Sequence, residues 1–219
     1  MIEKQLQLVL SEIPKNVALI AVSKTKPIED ILKAYKAGQR HFGENKVQEL
    51  VEKAALLPKD ISWHLIGHLQ RNKVKYMAGF VHLIHGVESL NLLIEINKQA
   101  QKVNRIQDVL LQFHIGEEDT KFGMTLEEAT EILNSEIAKN LKNIRVCGVM
   151  GMASFTSAQN QISQEFKNLY DIFKQLQKEF FQSQNHFKEI SMGMSGDYQL
   201  AIEQGSTMVR VGSKIFGGR

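Results

Sequence analysis

The chain has 219 residues, of which 43% are hydrophobic and 23% charged, and a formal net charge of +3. This is the composition of a soluble globular protein, and the length accommodates one large domain. A charge this small, with no basic run to concentrate it, excludes a nucleic-acid binder as the first reading, and no apolar run approaches the ~20 residues of a membrane-spanning helix. The single cysteine, Cys147, lies in the apolar stretch Ile144 to Met150. It cannot form an internal disulfide, so it reads as a small core residue in a reducing, cytoplasmic setting. The opening Met1-Ile2-Glu3-Lys4-Gln5 has no signal-peptide core.

The elements alternate along the chain. A first amphipathic helix, about Ile2 to Ile13, puts Ile2, Leu6, Val9, Leu10 and Ile13 on one stripe. A strand at about 17–24 follows, then a helix opened by Pro27 and ended near Gly38. A second strand spans 40–44, and Asn45 with Gln48 reads as a capping box for the next helix. Strands are expected at Ile61 to Ile66, Phe80 to His85, Asp108 to Ile115 and Ile144 to Met150. The segments between them are a short helix from Gln70, a helix from Ser89 to Val103 and one from Thr125 to Lys139. A long helix from Asn160 to Gln182 carries the core stripe Ile162, Phe166, Leu169, Tyr170, Phe173, Leu176 and Phe180. A seventh strand at Glu189 to Gly193, a short helix at Asp197 to Gln204 and an eighth strand at Thr207 to Gly212 complete the chain.

Eight strands separated by helices imply parallel pairing with right-handed crossovers, and eight is the number that closes a (β/α)8 TIM barrel. The alternative, an open doubly wound sheet, usually carries a glycine-rich turn after its first strand. Here that turn reads Ala21-Val22-Ser23-Lys24-Thr25-Lys26-Pro27, without glycine. A single barrel domain over residues 1–219 is therefore expected, with the N-terminal helix covering the face that the short C-terminal end leaves open.

Barrel active sites lie at the C-terminal ends of the strands, which is where Lys24 falls. A strand-end lysine in solvent is the plain reading. A lysine amine also becomes a nucleophile toward carbonyls when desolvation or a nearby cation, such as Lys26, lowers its pKa. Both parities of the first strand are apolar, so the pattern does not say which faces the barrel axis. Barrel phosphate sites commonly use the loops after strands seven and eight. Those loops hold Ser195, placed before a short helix, and Gly212 with Ser213, all suited to anion binding as well as to ordinary turns. Together with Lys24 they suggest a lysine that forms an imine with a phosphorylated aldehyde, pyridoxal 5'-phosphate being the obvious one. Arg210 shares a strand face with Gly212. It is either ion-paired with a neighbouring strand's carboxylate or set against the pyridine nitrogen, where a fixed cation disfavours pyridinium and leaves a poor electron sink.

The stretches AVSKTKP, HFGENKVQE (41–49), WHLIGHLQRNK (63–73), TKFG (120–123), SMGMSGD (191–197) and GSTMVRVGSKIFG (205–217) closely resemble the pyridoxal phosphate homeostasis protein family, also called the YggS or PROSC family. That family is similar to the N-terminal barrel of alanine racemase without its second domain. The resemblance implies that Lys24 carries the cofactor as an internal aldimine, that Asn45 lies near the ring, and that Ser195, Gly212 and Ser213 hold the phosphate. It further implies that Arg210 contacts the pyridine nitrogen and that Met192 lies against ring or phosphate. It gives Gln70, Asn72 and Lys121 no physical role, and His64 reads as a packed histidine. The expected function is a monomeric, cytoplasmic carrier that buffers pyridoxal 5'-phosphate and delivers it to dependent apoenzymes, with little or no catalysis.

One argument for a carrier comes from the residues alone. A racemase needs acid/base groups on both faces of a carbanion, and the sequence offers no convincing tyrosine opposite Lys24, Tyr198 being ambiguous. An amino-acid racemase is the alternative, and a Schiff-base lyase a more remote one.

Overall fold

Residues 1–117 and 122–218 are described by the structure, a computed structural model. Eight strands pair in chain order, all parallel, and β8 closes back onto β1. They are β1 (Ala18–Val22), β2 (His41–Glu44), β3 (Ser62–Leu65), β4 (Leu83–Val87), β5 (Gln107–His114), β6 (Ile144–Met152), β7 (Glu189–Met194) and β8 (Met208–Val211). Around them run α1 (Ile2–Glu12), α2 (Ile28–Lys36), α3 (Val47–Leu56), α4 (Leu90–Lys102), α5 (Leu126–Asn134), α6 (Glu136–Lys139), α7 (Gln159–Glu179), α8 (Tyr198–Glu203) and α9 (Ser213–Phe216). A 3-10 turn, Arg71–Tyr76, links β3 to β4. The expected barrel is the observed one. No helix among the described residues is long and apolar enough to cross a membrane.

Strand parity is settled by which side chains meet. Ala18 packs inside the barrel with Leu83, Leu110, Cys147, Met150 and Met208. Leu19, Ala21, Phe42, Trp63, Leu65, Val109, Leu111, Val149, Val209 and Val211 belong to the larger core between barrel and helices. The parity of Ala18, Ile20 and Val22 therefore faces the axis, and Lys24 continues it just past the strand end. Cys147 is buried among apolar neighbours as expected, and burial pushes its thiol up to about 12. α1 packs against α9 and α2, covering the side the short C-terminus leaves open.

Three elements depart from expectation. α3 starts at Val47 with Lys46 at its N-cap and no side-chain cap bond, so Asn45 is not a helix cap. β4 begins three residues later than Phe80, after the 3-10 segment has turned the chain. The helix expected over Thr125 to Lys139 breaks at Ser135. The Ser135 hydroxyl donates to the Ile132 carbonyl and accepts from the Ala138 N–H, so it ends one helix and caps the next. The other end of that segment follows the pattern: Thr125 and Glu128 form a capping box.

Candidate functional site

A cleft of about 600 Å³ opens at the C-terminal ends of the strands. Its wall carries Lys24, Lys26, Asn45, Ser195, Gly196, Asp197, Arg210, Gly212 and Ser213. Five positions from four separate strand ends thus meet in one space: Lys24 after β1, Asn45 after β2, Ser195 after β7, and Gly212 with Ser213 after β8. Arg210, within β8, lies deeper.

The loop that presents Lys24 is clamped from below by a buried charge network. Lys53, on α3, donates to the Ser23 carbonyl at 2.7 Å, to Glu44 Oε1 at 2.8 Å and to Glu49 Oε1 at 2.7 Å. The Ser23 hydroxyl donates to the same Glu44 oxygen at 2.6 Å. Glu49 also accepts the Thr25 N–H at 2.6 Å. Thr25 sits at φ 63°, a left-handed conformation that costs a β-branched residue energy and must be held by its surroundings. Lys24 is thus fixed on both sides, through the Ser23 carbonyl and the Thr25 amide. Burial raises the Glu44 carboxyl, and the Lys53 ammonium beside it opposes that shift.

Arg210 is 3% exposed, and its guanidinium is not ion-paired among the described residues. It donates to the Ser191 carbonyl at 2.8 Å, the Ser191 hydroxyl at 2.7 Å and the Gly151 carbonyl at 3.0 Å. The neighbouring-strand carboxylate allowed for by the sequence is therefore replaced by backbone oxygens. Burial pulls the guanidinium down to about 10, so it remains a cation at neutral pH. The Asp197 carboxylate on the same cleft offsets part of that burial through space, and an electron-rich ligand completing the shell of a cation held by neutral acceptors would offset more.

The β7 and β8 loops close the far wall. The Gly212 N–H donates to the Ser195 hydroxyl oxygen at 3.1 Å, tying the two loops together and leaving the hydroxyl proton to point elsewhere. A side chain at Gly212 would meet the Val22 carbonyl at 3.1 Å, so glycine permits the close approach of β8 to β1 beneath Lys24. Opposite, a side chain at Gly67 would collide with the Asn45 carbonyl at 2.4 Å, which is how Asn45 comes to lie on the cleft wall. Lys26 does not act as a companion cation free in solution: its ammonium binds the Phe216, Gly217 and Gly218 carbonyls and anchors the C-terminal segment.

Met192 is corrected. It alternates with Ser191, which faces the axis, so its fully buried side chain lies in the outer core between barrel and helices, away from the cleft. Met194 lines the cleft instead, because the register of β7 on β8 shifts between Ser191 and Met194 and reverses the alternation. Tyr198 is resolved too: its hydroxyl bonds Glu12 and accepts from Lys214 at 3.2 Å, away from the cleft. Gln112, His68, Phe122 and Met152 line the cleft without having been foreseen. Gln112 carried a signal as a polar residue inside the apolar run of β5, and His68 and Phe122 fall within the stretches 63–73 and 120–123 that carry the family resemblance. Lys121 lies outside the described residues.

The family description "Alanine racemase, N-terminal domain" matches residues 1–219. Proteins named pyridoxal phosphate homeostasis protein are 41% identical over 202 residues in Aquifex aeolicus, covering 92% of this chain and 86% of that protein. In Schizosaccharomyces pombe the identity is 38% over 213 residues, covering 94% and 85%. The chain belongs to the pyridoxal phosphate homeostasis protein family. The solved structure of PipY from Synechococcus elongatus PCC7942 with pyridoxal phosphate bound superposes with a TM-score of 0.90 at 34% identity, covering 99% of this chain and all of that one. Alanine racemase from Bartonella henselae has a TM-score of 0.73 at 16% identity and is matched over 58% of its length, a likeness of fold alone.

Proposed function

We propose that this chain binds pyridoxal 5'-phosphate at the barrel mouth and serves its homeostasis, holding and releasing the cofactor with little or no turnover of amino acids. The observation that carries this is the convergence of Lys24, buried Arg210 and the joined Ser195–Gly212–Ser213 loops on one cleft. The donor set fits the cofactor: hydroxyls and amides for a phosphate, a fixed cation for a ring nitrogen, an amine for an aldehyde. The names of the relatives and the ligand of PipY support the same reading. When bound, the cofactor supplies an aldehyde that condenses with primary amines and a ring that can accept negative charge.

The chain's own residues limit that chemistry. Lys24 supplies the amine at a position fixed by Ser23 and Thr25. Arg210 only donates and stays charged, so it opposes protonation of the ring nitrogen and weakens the ring as an electron sink. Ser195 and Ser213 would hold the phosphate, and Asn45, after β2, would lie near the ring. Tyr198 is engaged elsewhere. The cleft is open to solvent between exposed Phe122, Phe155, Met152 and Met194, which favours exchange over protection of a carbanion. Pyridoxal-phosphate-dependent apoenzymes are the natural recipients, and a monomer in the cytoplasm, without nucleic acid or membrane, suffices for this role.

The experiment is a spectrum of the purified protein before and after borohydride, for wild type and Lys24→Ala. A visible imine band in the wild type, fixed by borohydride and absent from Lys24→Ala, is expected. Incubation with single L-amino acids followed by chiral chromatography then separates carrier from racemase. Turnover to the D-isomer that requires Lys24 would overturn the carrier reading, leaving His68, which lines the cleft and contacts Glu88 at 2.9 Å, as the second base to examine.

A further inference from the structure

At the opposite, N-terminal end of the barrel, three histidines that lie 23 and 18 residues apart in sequence converge. His41 opens β2, His64 sits inside β3, and His82 immediately precedes β4. One ring nitrogen from each lies within 4.8 Å of the others. His41 Nδ1 and His64 Nε2 are 3.0 Å apart. The His82 ring stands edge-on to both, at 5.8 Å from His41 and 5.2 Å from His64 between centroids. We propose that His41, His64 and His82 form a binding site for a divalent transition-metal ion of the zinc class, separate from the cofactor cleft and independent of the function assigned to it.

Four features carry this. Zinc–nitrogen bonds of about 2.0–2.1 Å at tetrahedral angles place ligand nitrogens roughly 3.3 Å apart, so on metal binding the His41–His64 pair gives up the proton it shares, spreads by a few tenths of an ångström and turns both lone pairs onto the ion. His82 is exposed and can swing onto the ion. Metal ligation through His64 Nε2 requires its proton on Nδ1, and that atom faces His85 Nε2 at 2.9 Å. His85 Nδ1 in turn lies 2.9 Å from the Ser191 hydroxyl oxygen, so a single set of Nδ1–H tautomers satisfies the whole row. This is the outer-shell support that orients metal-binding imidazoles. Finally, three nitrogens with one side open to solvent suit zinc, cobalt, nickel or copper, with water in the fourth place, and do not suit magnesium or calcium. The row His64–His85–Ser191 ends on Arg210, so an ion at this site would also fix the tautomers of the chain beneath the cofactor cleft.

The test uses the untagged, cofactor-loaded protein, with Co²⁺ and Zn²⁺ as probes. Titration calorimetry is expected to give one ion per chain, and Co²⁺ an intense visible absorption diagnostic of low coordination number. His82→Ala and His41→Ala, checked for folding by circular dichroism, are each expected to weaken binding by at least about 100-fold. His68→Gln, at the other end of the barrel, is expected to leave it unchanged. No heat and no cobalt band in the wild type would overturn the proposal. So would binding that survives both substitutions, which would place the ion on the cofactor or on scattered surface groups.

Discussion

Replacing Lys53 with methionine tests how the lysine of the cleft is held. The Lys53 ammonium is 6% exposed and makes three hydrogen bonds, to Ser23 O, Glu44 Oε1 and Glu49 Oε1. Methionine fills most of its volume but donates nothing, leaving the fully buried Glu44 carboxylate with only the Ser23 hydroxyl. Breaking one side of a buried ion pair costs about 3–5 kcal/mol. For a domain of this size each kcal/mol moves the melting temperature by roughly 2–4 °C, so a drop of about 6–20 °C is expected. Thermal unfolding followed by circular dichroism reads it directly. The pH dependence has a definite sign. Loss of Lys53 removes the influences that lower the Glu44 carboxyl, so its pKa rises further in the variant. The gap between wild type and variant should therefore close as the pH falls and Glu44 takes up a proton, and widen toward neutrality. Adding Glu44→Gln to Lys53→Met should recover much of the loss, because no charge is then stranded. With the Lys53 bond to the Ser23 carbonyl lost and Glu49 no longer anchored by Lys53, the Lys24 loop should also retain less cofactor through dialysis. A melting shift below about 2 °C, or a double variant as unstable as the sum of the singles, would refute the clamp.

Arg210→Gln removes the cation while keeping a donor for the Ser191 and Gly151 carbonyls. The ring nitrogen of bound pyridoxal 5'-phosphate is then expected to take up a proton more readily, seen as an upward-shifted pKa by ¹⁵N NMR of labelled cofactor; an unchanged value would separate Arg210 from the ring. Cys147, with its thiol near 12 and buried inside the barrel, should fail to react with Ellman's reagent at pH 8 until the protein is unfolded in guanidinium. Stoichiometric reaction in the native state would contradict its placement.

Much of this protein is written locally. The alternation of apolar runs and amphipathic stripes, the absence of glycine after β1, and the small polar residues after β7 and β8 together dictate the barrel and place Lys24, Ser195, Gly212 and Ser213 near one another. These signals are legible because each depends on neighbours within a few residues, or on a rule that all such barrels obey. Where the chain offered two local solutions, only tertiary structure chose. Asn45 could cap a helix or face the cleft, and the close approach of Gly67 took it to the cleft. Both sides of β1 are apolar, so axis and outer layer could be told apart only once β8 had closed onto it in register, pairing Ile20 with Arg210. The same registers turn Ser191 inward and Met192 outward. The clamp of Glu44, Glu49 and Lys53 under Lys24, and the meeting of His41, His64 and His82, depend on contacts between different strands and helices. No periodicity encodes such contacts, because they arise from closure of the barrel and not from the conformation of any one segment.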